Sequence, residues 1–385
     1  MKSAIRVPIF GLALALGLSA CGSSAPQSQP ESATPIEVKI PPVWPLTGLP
    51  GPEDAQDRPL VVVKIENDPV VRPQTGLDRA DLIFEELVEG GMTRFAVAFH
   101  SDLPDEVGPV RSVRHVDVAI AEPMADAFVF SGGAKRTMRF VKRKLPTTVS
   151  VVNEGAPGMF RKKGLYAPHN LFLNMNEMLE ATAEHNTPTS GFFVRPEPQP
   201  EPSQTPEVSA SPGASSTAVE YGKSVTDVSV NFSKFAGPNW AWDATKQLWM
   251  RSEGVKPFMN KDGSQFGTNN LVIIEVREIN AGYKGQTGGY VPRTVLTGSG
   301  RGWVLSEGKA YEVFWNKPTL KAQMELKDPT GKPFAMPVGR SWVELLPVSV
   351  EGASVFTGKY SFDGVEVPVI NLPLPAKVPE PTDLP

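Results

Sequence analysis

The sequence predicts two domains of different class: an N-terminal α/β domain with three layers around a mixed sheet, and a mostly-β C-terminal domain. Three observations predict this arrangement. Strand and helix patterns alternate in the first half of the chain, only strand patterns recur in the second half, and a Pro-rich segment separates the two. About 340 residues follow the predicted export signal and tether, which is enough for two domains of ordinary size.

The N-terminus is typical of a cleaved bacterial export signal at residues 1–20. A short basic region precedes an apolar run at residues 7–18, which is too short to span a bilayer. The ending Leu-Ser-Ala-Cys resembles a lipobox, in which the cysteine becomes the lipidated first residue of the mature protein. Cys21 is the only cysteine of the chain. We therefore predict a lipid anchor at Cys21, which would hold the protein at the extracytoplasmic face of the cell membrane with no transmembrane helix elsewhere.

Three further segments are too polar or too rich in proline to form a core. Residues 21–43 are rich in Ser, Pro, Gln and Ala and are expected to form a flexible tether. Residues 195–218 alternate Pro with polar residues, which predicts an extended linker. Residues 351–385 form a C-terminal extension whose Pro-rich end is expected to fray. These boundaries place the α/β domain at residues 44–194 and the mostly-β domain at residues 219–350.

Alternating patterns predict the elements of the N-terminal domain. A β-branched run at Leu60–Ile65 is typical of a buried strand, whereas Ala80–Val88 fits either a strand or a helix. Asn174 and Glu177 resemble a capping box that opens a helix to about His185. The other predicted elements are a strand at Phe95–Phe99, a helix at Arg111–Ala121, a strand at Ala127–Ser131, a helix at Ala134–Leu145 and a strand at Val149–Val152. This order is typical of βαβ units and therefore of an α/β domain.

The C-terminal domain has few helix signals and many strand signals. Glycine-rich stretches such as Gly298–Gly302 and Asp328–Lys332 are expected to form turns between the strands. The predicted strands are Val225–Phe232, Trp240–Met250, Leu271–Ile279, Gly302–Leu305, Ala310–Trp315 and Ser341–Leu346. The pattern favours a sandwich or a barrel.

Two arginines lie at the predicted start of the helix that follows the strand Phe95–Phe99. Arg111 and Arg114 lie in the stretch Gly-Pro-Val-Arg-Ser-Val-Arg that starts at Gly108. A helix start favours negative charge, so cations beside free N–H groups make sense mainly if an anion binds among them. The alternative is that both arginines pair with the chain's own carboxylates.

Charge is unevenly distributed within the N-terminal domain. The whole chain carries −4, which gives no reason to expect nucleic acid as a partner. Residues 57–106 hold five basic and eleven acidic residues, whereas residues 111–165 hold eleven basic and four acidic residues. Basic residues share one face of the predicted helix at 134–145: Lys135, Arg139, Lys142 and Arg143. This face is either a solvated surface or a surface for anionic lipid headgroups or an anionic wall polymer.

Gly132 and Gly133 follow a strand and precede a helix. Open α/β sheets bind ligands at such a position, because bare N–H groups can approach a phosphate there. A tight turn explains the glycines equally well. Neither a P-loop nor a dinucleotide fingerprint occurs in the sequence, so a nucleotide is not implied.

Titratable groups elsewhere in this domain are weaker candidates. Asp81, Glu85 and Glu89 would share one face of a strand, where they could meet the arginines or bind a divalent cation. His169, which precedes Asn170, is either an acid–base or ligand-contacting group or a hydrogen-bonded structural histidine. The sequence has no HExxH and no GxSxG motif, so it implies neither a zinc site nor a serine hydrolase.

Several strings taken together resemble the YerB-like bacterial envelope lipoproteins. They are Pro45–Pro50, Arg72–Leu77, Ala80–Asp81, Val88–Arg94, Gly108–Ser112, Gly132–Gly133 and Ala167–Asn170. The resemblance covers the whole N-terminal domain and, more loosely, Val225–Leu346. This family is known as a domain of unknown function. The resemblance therefore implies a two-domain lipoprotein and supplies no activity.

The chain has, in order, Ala80–Asp81 with an apolar segment, a strand, Pro109–Arg111, and a strand that ends in Gly-Gly. This order is similar to that of the LytR-CpsA-Psr phosphotransferases, which is a second and weaker likeness. These enzymes use Asp and Arg residues to hold Mg²⁺ and the pyrophosphate of a polyprenyl-linked glycopolymer. By that analogy Asp81 would help to hold the metal, while Arg111 and Arg114 would grip pyrophosphate. Ser112 departs from the pattern, because that family has an acidic residue after its arginine.

These observations lead to one preferred function and two alternatives. The preferred function is a lipid-anchored envelope protein that binds an anionic wall polymer or a lipid-linked precursor, with no cofactor that the sequence establishes. Its expected ligand-binding residues are Arg72, Arg94, Arg111, Arg114, Gly132, Gly133, His169 and Asn170. The first alternative is a Mg²⁺-dependent glycopolymer phosphotransferase, with Asp81, Glu85, Glu89 and His169 as catalytic candidates. The second is a non-catalytic scaffold for an envelope protein partner, whose arginines serve as internal ion pairs.

Overall fold

The computed structural model describes residues 42–182, 190–195, 221–285, 288–348 and 357–370. The predicted export signal, Cys21, most of the predicted tether, the predicted linker from residue 196 and the C-terminal end lie outside the described residues. The predictions made for those segments stay predictions. No helix in the described ranges is long and apolar enough to cross a membrane.

The N-terminal region contains both strands and helices. Its elements are β1 (Val61–Glu66), β2 (Leu82–Leu87), β3 (Thr93–Phe99), β4 (Glu106–Val107), α1 (Val116–Ala121), β5 (Ala127–Val129), α2 (Lys135–Lys144), β6 (Ser150–Val152), β7 (Met159–Arg161), β8 (Leu171–Asn174) and α3 (Met175–Ala181). A single turn of 3₁₀ helix, Glu89–Gly91, joins β2 to β3. Every residue of β1, β2 and α1 is buried, which explains why these segments are mostly apolar; their charged residues, Lys64, Glu66, Glu85, Glu86 and Asp117, are buried with them.

Between residues 221 and 370 the described chain forms strands and no helix, as the sequence predicts. The strands are β9 (Lys223–Ser224), β10 (Asp227–Asn231), β11 (Pro238–Asp243), β12 (Leu248–Glu253), β13 (Lys256–Pro257), β14 (Gly267–Thr268), β15 (Asn270–Lys284), β16 (Tyr290–Val295), β17 (Gly298–Ser306), β18 (Lys309–Lys317), β19 (Glu325–Lys327), β20 (Ser341–Val348), β21 (Lys359–Phe362) and β22 (Val365–Glu366).

One mixed sheet runs through both regions. Its strand order is β19-β18-β17-β15-β20-β2-β3-β1-β5-β6, with β16 beside β15 and β9 beside β18. The two regions meet at β20, which lies parallel to β2 on one side and to β15 on the other. Leu82 pairs with Ser341, and Glu85 pairs with Glu344. The segments that the sequence separates are thus joined by main-chain hydrogen bonds.

The two faces of this sheet are covered differently. Buried side chains of α1 and α2 pack on one face with residues such as Val62, Phe84 and Phe128. The opposite face packs against a three-stranded sheet, β4-β8-β7, with α3, and against a seven-stranded sheet with the order β13-β12-β11-β10-β21-β22 plus β14. The described chain therefore consists mostly of strands, which form several sheets, and has few helices. The predicted three-layer α/β arrangement is not confirmed, because strands rather than helices cover most of the second face.

Two predicted elements differ from the observed ones. The helix predicted at Arg111–Ala121 begins at Val116, because residues 111–113 hydrogen-bond to neighbouring strand ends instead of to the next helical turn. The single strand predicted at Trp240–Met250 is the hairpin β11–β12. Its turn forms where the Asp243 carboxylate accepts the N–H groups of Thr245 and Lys246, each at 3.0 Å.

Two smaller predictions concern glycines and a helix end. Gly298–Gly302 lies within β17 rather than in a turn, and Gly302 is needed for close packing. A Cβ there would lie 2.7 Å from the carbonyl oxygen of Ile273. The capping interaction at Asn174 is present, since its side chain accepts the N–H of Glu177 at 3.0 Å. The helix that it starts ends at Ala181, and His185 lies outside the described residues.

Candidate anion-binding site

The candidate site lies where β1 and β5 end. These strands are parallel neighbours, and the chain leaves β1 towards β2 and β3 on one side before it returns to β5 on the other. Such a switch in direction opens a crevice at the carboxyl ends of the strands. The stretch around Arg111 crosses this crevice. The Arg111 N–H donates to Lys64 O at 2.8 Å, and the Ser131 N–H donates to Arg111 O at 2.9 Å.

Three arginines converge on this crossing segment. Arg94, near the start of β3, donates to the Ser112 carbonyl at 3.0 Å, and Arg114 donates to the same oxygen at 3.2 Å. Arg111 lies next to them. Burial, together with the positive charges of Arg114 and Arg111, lowers the pKa of Arg94 to about 9. Within the described ranges Arg94 has this carbonyl as its side-chain partner and no carboxylate at ion-pair distance.

Two carboxylates balance part of this charge. The Glu66 side chain is 5% exposed; its Oε1 lies 3.2 Å from Arg111 Nε and its Oε2 lies 3.0 Å from His169 Nδ1. Arg114 Nε donates to Glu89 at 3.1 Å. Burial alone would raise the pKa of Glu89, but the guanidinium of Arg114 outweighs it and the pKa is lowered. The predicted self-pairing therefore occurs for Arg111 and Arg114.

Small polar groups line the open side of the cluster. The hydroxyl oxygens of Ser112 and Ser131 lie 3.4 Å apart. Gly132 has a φ of +125°, and a Cβ built on it would meet no atom within 4 Å, so the backbone borders open space there. Gly133 has a different role: a Cβ there would lie 2.9 Å from Val113 Cγ1. The site thus combines guanidinium and hydroxyl donors with an accessible stretch of backbone.

A buried ionic triad, Lys64, Glu86 and Asp117, lies next to the arginine cluster and bonds to the backbone of Arg114. Lys64, Glu86 and Asp117 have no exposed side-chain surface. Lys64 Nζ donates to Asp117 Oδ1 at 2.8 Å and also contacts Glu86. The other Asp117 oxygen accepts the Arg114 N–H at 2.6 Å. The triad therefore ties β1, β2 and α1 to the segment that carries Arg114.

Protonation of Glu86 should make stability depend on pH. Burial, with the nearby charge of Asp117, raises the pKa of Glu86 from 4.5 to about 7. The folded state therefore binds a proton more tightly than the unfolded state, and the stabilisation is lost as the pH rises from about 4.5 to about 7. We expect the free energy of unfolding, relative to that of Glu86→Gln, to fall by roughly 3 kcal/mol across this window.

Urea denaturation of both proteins at several pH values measures this difference. Glu180→Gln, which changes a carboxylate on α3, serves as the control. Its free energy of unfolding should change with pH in the same way as that of the unmodified protein. A difference between the unmodified protein and Glu86→Gln that stays constant with pH would contradict the proposed protonation.

The C-terminal region forms one wall of the site. The strands β15 and β16 extend past the sheet edge, where Arg136 of α2 donates to Gly282 O at 2.7 Å. The hydroxyl groups of Tyr283 and Thr137 lie 2.8 Å apart. A Cβ on Gly285 would lie 3.6 Å from Glu89 Cγ. Strands from the C-terminal region thus border the cluster that residues of the N-terminal region form.

The predicted acidic cluster does not converge. Asp81 precedes β2, and its carboxylate accepts the N–H groups of His100 at 2.8 Å and Ser101 at 2.6 Å. Glu85 pairs with the fully buried Arg251, whereas Glu89 lies beyond the end of β2 and pairs with Arg114. Among the described residues, no three His, Cys, Asp or Glu side chains are grouped so that they could hold a metal ion.

Arg72 and Asn170 have other surroundings. Arg72 donates to the Asn67 side chain at 3.1 Å and lies 3.5 Å from Glu253, on the side of the sheet away from Arg111. Asn170 shapes the loop that ends in His169: its Nδ2 donates to Leu165 O at 3.3 Å. The structure therefore groups Arg94, Arg111, Arg114 and His169, but neither Arg72 nor the Asn170 side chain.

A second buried ionic cluster lies on the face of the sheet opposite Lys64. Arg251 is fully buried, 2.8 Å from Glu85 and 2.7 Å from Glu253. Glu344, the cross-strand neighbour of Glu85, accepts the Trp240 Nε1–H at 2.9 Å. Burial and the charge of Glu85 raise the pKa of Glu344 well above its usual value. Four aromatic rings surround the Arg251 guanidinium, with centroids at 4.3 to 5.8 Å: Phe95, Trp240, Phe258 and Trp342.

Two family models match the chain. One, described as "Protein of unknown function (DUF3048) N-terminal domain", matches residues 46–188, and its C-terminal counterpart matches residues 228–343. A curated relative, "Putative lipoprotein YerB" of Bacillus subtilis (strain 168), is 25% identical over 317 residues, which cover 82% of this chain and 89% of the relative.

The crystal structure of the YerB protein from Bacillus subtilis shares the fold. The TM-score is 0.64 at 22% identity, and the match covers 80% of this chain and 97% of that chain. The two family models together include the arginine cluster and all of β15 and β16.

Proposed function

Because the chain belongs to the YerB-like family of unknown function, we propose its role from the site itself: it is a lipid-anchored envelope protein that binds an anionic, phosphate-bearing ligand among Arg94, Arg111 and Arg114. One observation carries the proposal. Among the described residues, the cluster contains three guanidinium groups and two carboxylates paired with them, Glu66 and Glu89, and it borders the crevice at the ends of β1 and β5.

The environment of Arg94 favours an anion. Arg94 is a partly buried cation beside two other cations, and its side-chain partner in the described part of the chain is a neutral carbonyl. This environment is unfavourable for a charged group, as the lowered pKa of Arg94 reflects. A bound phosphate would accept hydrogen bonds from the free guanidinium N–H groups of Arg94 and restore the charge balance. Charge-assisted hydrogen bonds of this kind are among the strongest in proteins.

Two ligand sources fit this chemistry. A wall polymer supplies phosphodiesters, and a lipid-linked precursor supplies a pyrophosphate. The lipid anchor proposed at Cys21 would place the site near both. The relative named "Putative lipoprotein YerB" supports the anchor. The cluster binds phosphate oxygens in either case, so the source is decided by experiment.

We expect the double variant Arg94→Gln, Arg114→Gln to bind phosphate ligands at least tenfold more weakly than the unmodified protein. Each lost charge-assisted hydrogen bond is worth about 1.5 to 3 kcal/mol, and 1.4 kcal/mol corresponds to tenfold in affinity. Isothermal titration calorimetry with inorganic pyrophosphate and, separately, with poly(glycerol phosphate) measures the affinity. Binding should weaken as the salt concentration rises.

Arg79→Gln is the matched control, because Arg79 is an arginine of the same domain that pairs with Asp102 on the surface. Its affinity should equal that of the unmodified protein. Preference for one of the two probes identifies the ligand source. If neither probe binds, or if the double variant binds as tightly as the control, the proposal is wrong.

The scaffold alternative has one observation in its favour, namely the ion pairs Arg111–Glu66 and Arg114–Glu89. It predicts no phosphate binding and so is tested by the same titration. The Mg²⁺-dependent phosphotransferase has less support. Asp81 lies at the opposite end of β2 from Glu86, and both of its carboxylate oxygens already accept hydrogen bonds. Oδ2 accepts the N–H groups of His100 and Ser101, and Oδ1 accepts the Ser101 hydroxyl.

A further inference from the structure

His169 and Glu66 form a dyad beside the arginine cluster. The Nδ1 of His169 lies 3.0 Å from Glu66 Oε2, and the other carboxylate oxygen lies 3.2 Å from Arg111 Nε. As a carboxylate, Glu66 can only accept hydrogen bonds. The proton of a neutral imidazole therefore sits on Nδ1, which leaves the lone pair on Nε2.

The free nitrogen of this histidine is accessible. The His169 side chain is 32% exposed, and Nε2 has no hydrogen-bond partner in the described part of the chain. The backbone before it is held in place, because Arg111 donates to Pro168 O at 3.3 Å and the His169 N–H donates to Tyr166 O at 2.9 Å. The ring is thus fixed on its Nδ1 side and open on its Nε2 side.

This arrangement has the elements of base catalysis. A carboxylate that holds the Nδ1–H fixes the tautomer and stabilises the imidazolium that forms when Nε2 takes a proton. One carboxylate oxygen of Glu66 contacts His169 and the other contacts Arg111. Glu66 therefore fixes the position of the histidine relative to the arginine that would bind the anion. Guanidinium groups at that position would stabilise negative charge on non-bridging phosphate oxygens.

We propose that His169 is a catalytic general base and Glu66 its positioning residue, and that together they hydrolyse a phosphodiester held by the arginine cluster; this rests on the proposed anion binding. Nε2 takes a proton from water while the water oxygen bonds to phosphorus. The bond from phosphorus to the leaving oxygen breaks, and that oxygen receives the proton from the imidazolium. The products are a phosphate monoester and an alcohol, and the dyad returns to its starting state.

The test uses the full chain and bis(4-nitrophenyl) phosphate, with release of 4-nitrophenolate as the readout. We expect His169→Gln to lower kcat by about 10²- to 10⁴-fold, the range that general base catalysis usually contributes. Its affinity for the phosphodiester should stay within twofold. Tyr166→Phe, on the same loop and with Tyr166 87% exposed, is the matched control and should keep the unmodified kcat.

A split between kcat and affinity separates a positioning role of Glu66 from a merely structural one. In Glu66→Gln we expect kcat to fall, because the Nδ1–H of His169 loses its carboxylate acceptor. The affinity for the phosphodiester should not weaken in this variant, because Arg111 loses its charged internal partner and keeps its own charge.

Phosphodiester binding without turnover, or equal turnover in His169→Gln and the unmodified protein, would overturn this proposal and leave the anion-binding proposal intact. Absence of binding in the unmodified protein would instead overturn both.

Discussion

Arg251→Met is expected to lower the free energy of unfolding by about 3 to 5 kcal/mol, the usual cost of removing one partner from a buried ion pair. Arg251 is fully buried and bonds to Glu85 and Glu253. Without the guanidinium, Glu85 and its neighbour Glu344 would remain in an apolar setting with no cation between them. The loss of contacts with the surrounding aromatic rings adds to the cost.

Equilibrium unfolding in urea, followed by tryptophan fluorescence, measures this effect. Lys246→Met, which removes an exposed cation from the same seven-stranded sheet, is the matched control and should change stability by less than about 1 kcal/mol. The double variant Arg251→Met, Glu85→Gln should regain part of the loss, because one uncompensated charge is then gone. A change below about 1 kcal/mol in Arg251→Met would show that Arg251 does not hold these carboxylates.

Lys64→Met should be destabilising to a similar degree, by about 3 to 5 kcal/mol. Lys64 is the only cation of the triad that bridges Glu86 and Asp117, all with no exposed side-chain surface. Removal of the Lys64 charge should also disturb the anion site, because Asp117, which Lys64 contacts, accepts the N–H of Arg114 and so positions that residue. We therefore expect weaker pyrophosphate binding at a pH and temperature where the variant is still folded.

Thermal unfolding with circular dichroism gives the stability, and titration with pyrophosphate gives the affinity. Lys162→Met is the control, because Lys162 also pairs with a carboxylate, Glu106, but has a 40% exposed side chain. Glu86→Gln combined with Lys64→Met should be more stable than Lys64→Met alone. If Lys64→Met matches the Lys162→Met control in stability, the triad does not support the site.

The sequence predicts which segment carries the candidate site better than it predicts the secondary structure of that segment. Arg111 and Arg114 stand out because cations at a helix start are unfavourable, and the structure does place them together. The helix, however, begins at Val116, so the arginines belong to a segment that bonds to strand ends. Main-chain pairing of this kind depends on which strands are neighbours, and local periodicity does not contain that information.

Partners of the site residues were harder to predict. Glu66 ends an apolar strand and carries no local signal, although it joins Arg111 to His169, which is distant in sequence. Arg72 belongs to one of the family strings, as Arg94 and Arg111 belong to others, but it lies with Glu253 on the other side of the sheet. An alternating pattern gives the face of a residue relative to its own strand, and it does not show what packs against that face.

The position of β20 between β2 and β15 has a consequence for how the chain can be made. On this edge β2 pairs with β20, and Leu82 lies opposite Ser341. The edge of β2 therefore stays unpaired until nearly the whole chain has been synthesised. An open edge of apolar strand is a template for aggregation. A chain synthesised from its N-terminus therefore exposes this edge of β2 until β20 has formed, and a fragment that ends within residues 195–218 would keep the edge unpaired.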